Sequence, residues 1–339
     1  MKNILKVCFV IIGTMIGAGF ASGQEIELFF NQYGTIGILG IILSCTFTGV
    51  IIYRVLKLVE EKQIKNYKEF LEIITPNKKL NQIIQIIINL FLLLSFYIMV
   101  AGFCAYFKQE LQIPIWISAI VMAFLCYLTF KSAIQGVISA NTFLIPFLII
   151  FILYLGIKNM PFLSEYFSQG SNIIMPSSPF SWLISSILYA SYNSILLVPI
   201  LIELREQTST KSSVLKVSVF CTIVFSILGI CLIGLLLRGT GYIHEIEMPI
   251  VEIVKQFGSS YPWIYGVVNI AAIFTSAIAA GYGFLKNVSK TNQNYQKMVI
   301  LLCISSIFIA PIGFANLVNF LYPIFGILGL LQVLQIFRK

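Results

Sequence analysis

Apolar runs of about 20 residues, the length that crosses a bilayer as helix, recur from one end of the chain to the other. The polar segments between them are short, and none is much longer than about 25 residues. The pattern predicts spans at about 4–32, 35–57, 80–107, 113–130, 134–157, 179–204, 213–237, 262–286, 296–311 and 315–336. This is an all-α polytopic membrane protein of ten transmembrane helices, forming a single transmembrane domain with no room for a soluble one.

The first span departs from the pattern in its middle. "GTMIGAGFASGQE" (13–25) places four glycines, small polar residues and a carboxylate where uniform apolarity belongs. The stretch from 4 to 32 would make roughly 43 Å of helix, against a hydrocarbon core of about 30 Å. A break near 17–23 removes the mismatch. Lys2 and Lys6, an apolar run and then small residues resemble a secretory leader, but apolar residues resume at once in "IELFF" (26–30). Unpaired backbone groups cost several kcal/mol each in hydrocarbon, so a break must face protein or a watery cavity. Its free carbonyls suit a cation, and its free N–H groups suit an anion such as a substrate carboxylate. The alternative is close helix packing, since Gly13 and Gly17, and Gly19 and Gly23, are small-xxx-small pairs.

A second interruption lies five spans later. "YASYNS" (189–194) concentrates hydroxyls and an amide within the sixth span, and Pro199 follows. Discontinuous helices at corresponding positions point to an inverted-repeat transporter with a midplane site. The expectation is a 5+5 inverted repeat, residues 1–160 and 161–339, with helices 1 and 6 discontinuous and side by side.

Composition sharpens this picture. The chain is 58% hydrophobic and 10% charged, with a net charge of +9. With the N-terminus in the cytoplasm, 18 of the 22 Lys and Arg fall on the inner side, which sets the orientation and places both termini inside. The positive charge is thus a topology signal, and no nucleic-acid partner is expected. The seven cysteines sit in apolar segments without a CxxC pair, His244 is the only histidine, and aspartate is absent. A Ser-His-Asp triad or a His-rich metal site is excluded by inventory, and no enzyme is expected. Of the polar loops, 60–82 is basic and amphipathic, either an inner-surface helix or a solvated connector. The loop 241–258 suits a short helix capping the outer vestibule.

These features resemble the leucine-transporter-type fold of the amino acid–polyamine–cation superfamily. "GTMIGAGFASGQE" is more narrowly similar to the YkvI-type bacterial membrane proteins, which implies a multi-pass protein of the bacterial plasma membrane. "AAIFTSAIAAGYG" (271–283) in span 8 resembles the Ala-x-x-Thr-Ser segment of sodium-coupled members. The resemblance implies one sodium ion held by the carbonyls of Gly13, Ile16 and Ala272 and the hydroxyls of Thr275 and Ser276. A small-residue packing seam is the alternative. Members with a second sodium carry an asparagine where this chain has Phe20, which implies a single ion. Some relatives replace sodium with a span-5 lysine, and span 5 here has no basic residue within the membrane.

For the substrate, Ala18, Gly19 and Phe20 open the second half-helix, their N–H groups facing a carboxylate, over a small-residue floor of Gly17, Ala18 and Gly19. Tyr97, in mid-span 3, needs a hydroxyl partner, which a substrate or Tyr192 supplies. Tyr189, Ser191 and Asn193 lie at the second interruption. Glu25 is an ionisable group within a span and so a functional candidate: it takes a proton, contacts an amine-bearing substrate or gates the outer vestibule. The reading is a sodium-coupled symporter of a small amino acid or similar zwitterion, working by alternating access among membrane lipid without an obligate protein partner. A proton-coupled or exchange transporter and a ligand-sensing receptor are the rivals.

Overall fold

The computed structural model describes residues 2–131, 135–168, 180–205, 208, 210–239, 243, 246–289 and 291–339. The expected span ends at 134 and 179, His244 and the first residues of the 241–258 loop lie outside them. The described residues are helical throughout, with no strand. In chain order the helices are α1 (Lys2–Met15), α2 (Ala18–Ser22), α3 (Gln24–Phe29), α4 (Ile36–Lys62), α5 (Tyr67–Ile74), α6 (Lys78–Leu111), α7 (Ile115–Lys131), α8 (Gln135–Lys158), α9 (Met160–Ser168), α10 (Ser181–Glu203), α11 (Lys211–Leu236), α12 (Pro249–Val254), α13 (Tyr261–Val288), α14 (Asn292–Ile309) and α15 (Phe314–Arg338).

Seven of these are long and apolar enough to cross a membrane, eight if the bent pair Pro146–Lys158 and Met160–Tyr166 is one span; Ile4–Met15 and Ile115–Lys131 are apolar but shorter. Side-chain caps start several helices where the sequence turns polar. Asn66 accepts from the Glu69 N–H (3.0 Å) at α5, and Asn77 from the Lys79 N–H (3.0 Å) at α6. Thr210 and Ser213 close a capping box at α11. The outer faces are apolar: Trp116, Ile117, Ile120 and Phe124 all stand exposed on α7. Such a face needs a bilayer to cover it, and the protein is a multi-pass membrane protein.

The first span is broken and the sixth is not. α1 ends at Met15, Gly17 is extended (φ −87°, ψ −174°), and Gly23 adds a left-handed turn (φ +86°) between α2 and α3. The break expected at 189–194 is absent, because α10 runs unbroken from Ser181 to Glu203. The side chains of Ser191, Asn193 and Ser194 bond back to their own helix. Ser191 donates to the Ile187 carbonyl (2.7 Å), Ser194 to the Ser191 carbonyl (2.6 Å) and Asn193 to the Tyr189 carbonyl (2.9 Å). Polar groups satisfied in this way leave the backbone helical. α10 lies between α4 and α15, α4 packs along α11, α6 packs along α13, and α1 rests on α8, α10 and α11.

Candidate functional site

The site is built on the break in span one. At the end of α1 the Gly17 N–H turns to the Met15 carbonyl (3.0 Å), so the Gly13 carbonyl loses the partner that a continuing helix would give it four residues on. Ala18, buried Gly19 and fully buried Phe20 then open α2. Phe20 packs edge-on against Phe225 (6.2 Å), within the protein. The Tyr265 hydroxyl from α13 donates to the Ala21 carbonyl and holds α2 in place. Gly23 serves two ends. Its positive φ reverses the chain, and a Cβ there would stand 2.5 Å from the Ile250 side chain of α12.

The turn at Gly23 folds Glu25 back over α2. Its carboxylate rests against Gly19, where an added Cβ would meet Oε1 at 2.2 Å, and the Phe20 backbone N–H is directed at it. The Tyr192 hydroxyl donates to Glu25 Oε2. Glu25 is only 3% exposed, and among the described residues no Lys, Arg or His pairs with it. The Tyr189 hydroxyl is bonded to the same carboxylate, and the two tyrosines belong to an aromatic cluster. Tyr192 is stacked between Tyr322 (4.8 Å, 25°) and Phe29 (5.8 Å, 14°), with Tyr189 edge-on to both Phe29 (5.2 Å) and Tyr192 (5.4 Å). Glu25 therefore does not stand in an open outer vestibule. It is closed off, and it occupies the place beside Gly19 and Phe20 where a substrate carboxylate was expected. Gln24 reaches Asn319 of α15 (3.3 Å), and Ser185 holds the Phe29 carbonyl (2.7 Å).

On the other side of the break runs α13. A Cβ on Gly17 would lie 4.0 Å from the Ser276 hydroxyl. Buried Thr275 donates to the carbonyls of Ala271 (2.9 Å) and Ala272 (3.1 Å), which leaves its oxygen lone pairs for another partner. Gly13, Ile16, Ala272, Thr275 and Ser276 thus belong to the two segments that meet at the break.

Other candidates are not brought here. Tyr97 meets neither Tyr192 nor the break; its hydroxyl pairs with Ser305 of α14 at 2.8 Å. Ser191 and Asn193 have polar groups bonded within α10, and the Ser191 carbonyl lies 2.3 Å from a would-be Cβ on Gly329 of α15, a packing contact. Of the second-interruption candidates only Tyr189 reaches the Glu25 cage. Sequence reading missed Phe29 and Tyr322 as site members, and Tyr192 as the partner of Glu25. The spacing of Tyr189 and Tyr192 on one helical face was a usable signal for the last; nothing in "NFLYPIFG" (319–326) marks Tyr322.

At the end of the bundle away from the N-terminus, residues 246–257 cover the site. Met248 exchanges backbone hydrogen bonds with the Gln109 side chain (3.0 and 3.4 Å), and Glu247 accepts from the Ala315 N–H (2.7 Å) at the start of α15. Lys255 bridges Glu110 (2.9 Å) and Glu252 (2.7 Å). Partial burial opposes its charge, but the two carboxylate hydrogen bonds outweigh this and hold its ammonium above its ordinary pKa. A cavity of about 270 Å³ opens between α3 and α10, lined by Phe29, Gln32, Tyr33, Ser185, Leu188 and Pro323 among others.

No protein-family model matches the chain. It is similar to two Bacillus subtilis (strain 168) proteins: the uncharacterised membrane protein YkvI, 27% identical over 333 residues (96% of this chain, 92% of YkvI), and YyaD, 26% identical over 327 residues (96% and 94%). Among solved structures, a variant of the Eremococcus coleocola manganese transporter superposes with TM-score 0.64 at 16% identity, covering 98% of this chain and 77% of its own. A Na+-coupled sialic acid symporter in a substrate-bound outward-open state gives 0.59 at 14% (98% and 78%). Mhp1, a nucleobase-cation-symport-1 transporter in a closed conformation with bromovinylhydantoin bound, gives 0.59 at 14% (95% and 74%). The fold is that of the leucine-transporter-type secondary transporters, and the neighbours are transporters, not enzymes.

Proposed function

We propose that the protein is a secondary active transporter that moves a small solute by alternating access, coupled to one sodium ion held where span one breaks against α13. The ion's ligands in this reading are the carbonyls of Gly13, Ile16 and Ala272 and the hydroxyls of Thr275 and Ser276. A hard cation takes several oxygens, and neutral dipoles alone give it modest affinity. The observation that carries the reading is the approach of Ser276 to Gly17, at the point where the Gly13 carbonyl is released from the helix. The packing supports ten spans in a 5+5 arrangement. α1 meets α8 and α11 much as α10 meets α15 and α4, the exchange that an inverted repeat makes between spans one and six. One of the solved neighbours is a Na+-coupled symporter. Gly17, Ala18, Gly19 and Phe20 line the substrate's side of the break, with Tyr189 opposite.

The test is thermal unfolding of the purified protein in sodium against potassium at equal ionic strength. Sodium should raise the midpoint, by about 2.7 kcal/mol of stabilisation at a hundred times its Kd. Thr275→Ala with Ser276→Ala should remove that shift and leave the fold, since small residues still fill the seam. A sodium shift that persists in the double variant places the ion elsewhere. One observation favours a second coupling: Glu25 is a buried carboxylate with no basic partner among the described residues. If sodium has no effect on the unaltered protein and uptake follows the proton gradient, Glu25 is the coupling group.

A further inference from the structure

We propose that Lys158 and Arg238, at the end of the bundle that residues 246–257 cap, form a docking site for the headgroup of an anionic phospholipid. The site starts from a bend. The chain turns by 46° between α8 and α9, and buried Asn159 holds the corner by donating to the Gly234 carbonyl (2.6 Å) of α11. Lys158 ends α8, and Arg238 stands just past the end of α11. Both lie against one ring: Lys158 Nζ is 5.7 Å and Arg238 Cζ 4.8 Å from the Phe257 centroid. Their other partners are neutral. Lys158 donates to the Tyr261 hydroxyl (2.8 Å) and the Phe257 carbonyl (3.4 Å). Arg238 donates to the side-chain carbonyls of Asn159 and Gln256. Rings and amides hold a cation in place but cancel none of its charge, and an ammonium and a guanidinium have more donors than these bonds use. Among the described residues neither side chain pairs with a carboxylate, whereas Lys255 at the same end is bridged by two. By the orientation read from the charge pattern, this side holds only four of the 22 Lys and Arg. Two of those four converge on Phe257.

The surface beside the cations selects a lipid over a soluble anion. α8 packs on α13, and Tyr154 stacks on Tyr261 (6.2 Å, 8°) where they meet. Ile150 and Tyr154 of α8 and Trp263 and Val267 of α13 stand exposed along this junction, an apolar seam that an acyl chain covers. Tyrosine and tryptophan near helix ends mark the headgroup level of a bilayer, so Tyr261 and Trp263 put Lys158 and Arg238 at the depth of the lipid phosphates. A phosphodiester there takes charge-assisted hydrogen bonds from both cations, as basic pockets between spans do for anionic headgroups, with its chain on the seam. A free phosphate would use the cations alone, and an uncharged lipid the seam alone. This surface does not involve the break in span one, so it stands or falls apart from the transport reading.

The experiment reads the seam itself. In the full chain carrying Trp116→Phe and Trp182→Phe, Trp263 is the one remaining tryptophan, and bromine on a lipid chain in contact with it quenches its fluorescence. The protein is reconstituted into dioleoylphosphatidylcholine vesicles containing brominated phosphatidylglycerol or, in parallel, brominated phosphatidylcholine, whose phosphate is offset by its own choline. The anionic lipid should reach Trp263 with a relative affinity at least about fivefold higher. Lys158→Gln with Arg238→Gln should bring the two lipids to within about twofold of each other. Lys158→Gln alone should lower the preference by about half or more, and it serves if the double variant does not fold, since that side chain is exposed. Glycerol 3-phosphate added in millimolar excess should leave the quenching unchanged. The proposal is overturned if both brominated lipids quench equally in the unaltered site, if the preference survives in the variants, or if glycerol 3-phosphate relieves the quenching, which would make the occupant a soluble phosphoester.

Discussion

Spans one and six carry the same kind of signal, small and polar residues in the middle of an apolar helix, yet only span one breaks. The difference lies in where the polar atoms go. In α10 the hydroxyls of Ser191 and Ser194 and the amide of Asn193 return to carbonyls three or four residues earlier, so these polar groups leave the helix whole. In span one the interruption is made by glycines, which have no side chain to return. Gly17 sits extended and Gly23 takes a positive φ, and the backbone itself becomes the polar surface. Glycine breaks a membrane helix where serine and asparagine only decorate it.

Four measurements would break or sharpen this contrast. The largest effect is expected in amide hydrogen exchange: peptides over 17–23 should exchange at least about a hundredfold faster than those over 189–194, since opening is easiest where helical bonds are missing. Equal protection would erase the distinction. Next, Gly329→Ala pushes a Cβ to 2.3 Å from the Ser191 carbonyl. Backbone cannot swing aside as a side chain does, so the cost should approach the upper end of the roughly 1–3 kcal/mol of overpacking, read as a lowered unfolding midpoint in detergent. Gly23→Ala should cost about 1–2 kcal/mol for its left-handed φ, with some addition from Ile250; an unchanged midpoint would mean that the turn is not needed. Smallest is Ser191→Ala. Its hydroxyl only back-bonds within α10, so stability should stay within about 0.5 kcal/mol and ligand binding should not move.

Hydropathy made the long apolar helices legible, seven or eight of them, because a bilayer sets a minimum length for a helix that crosses it. The break at Gly17 was legible too, from glycine density. The unbroken α10 was not, since sequence shows that a residue is polar but not whether its neighbours four positions back will accept its hydrogen. The Glu25 cage needed the fold. Gly23 decides which way the carboxylate points, and Tyr322 arrives from the last helix. Tyr97 failed for the same reason: its partner Ser305 lies 208 residues along the chain, and burial of a hydroxyl predicts that a partner exists without saying which.

At Gly326 and Gly329, α15 approaches the α10 backbone with no layer of side chains between them; the Leu188 and Ser191 carbonyls would touch any Cβ placed there. Two helices joined in this way behave as one stiff beam. A bend in either would have to be copied by the other. Span one, cut at Gly17 and turned again at Gly23, has no such splint. A rearrangement that opened a path to Glu25 would therefore be lopsided, with the yielding concentrated in the first span and the α10–α15 beam as the abutment against which it swings.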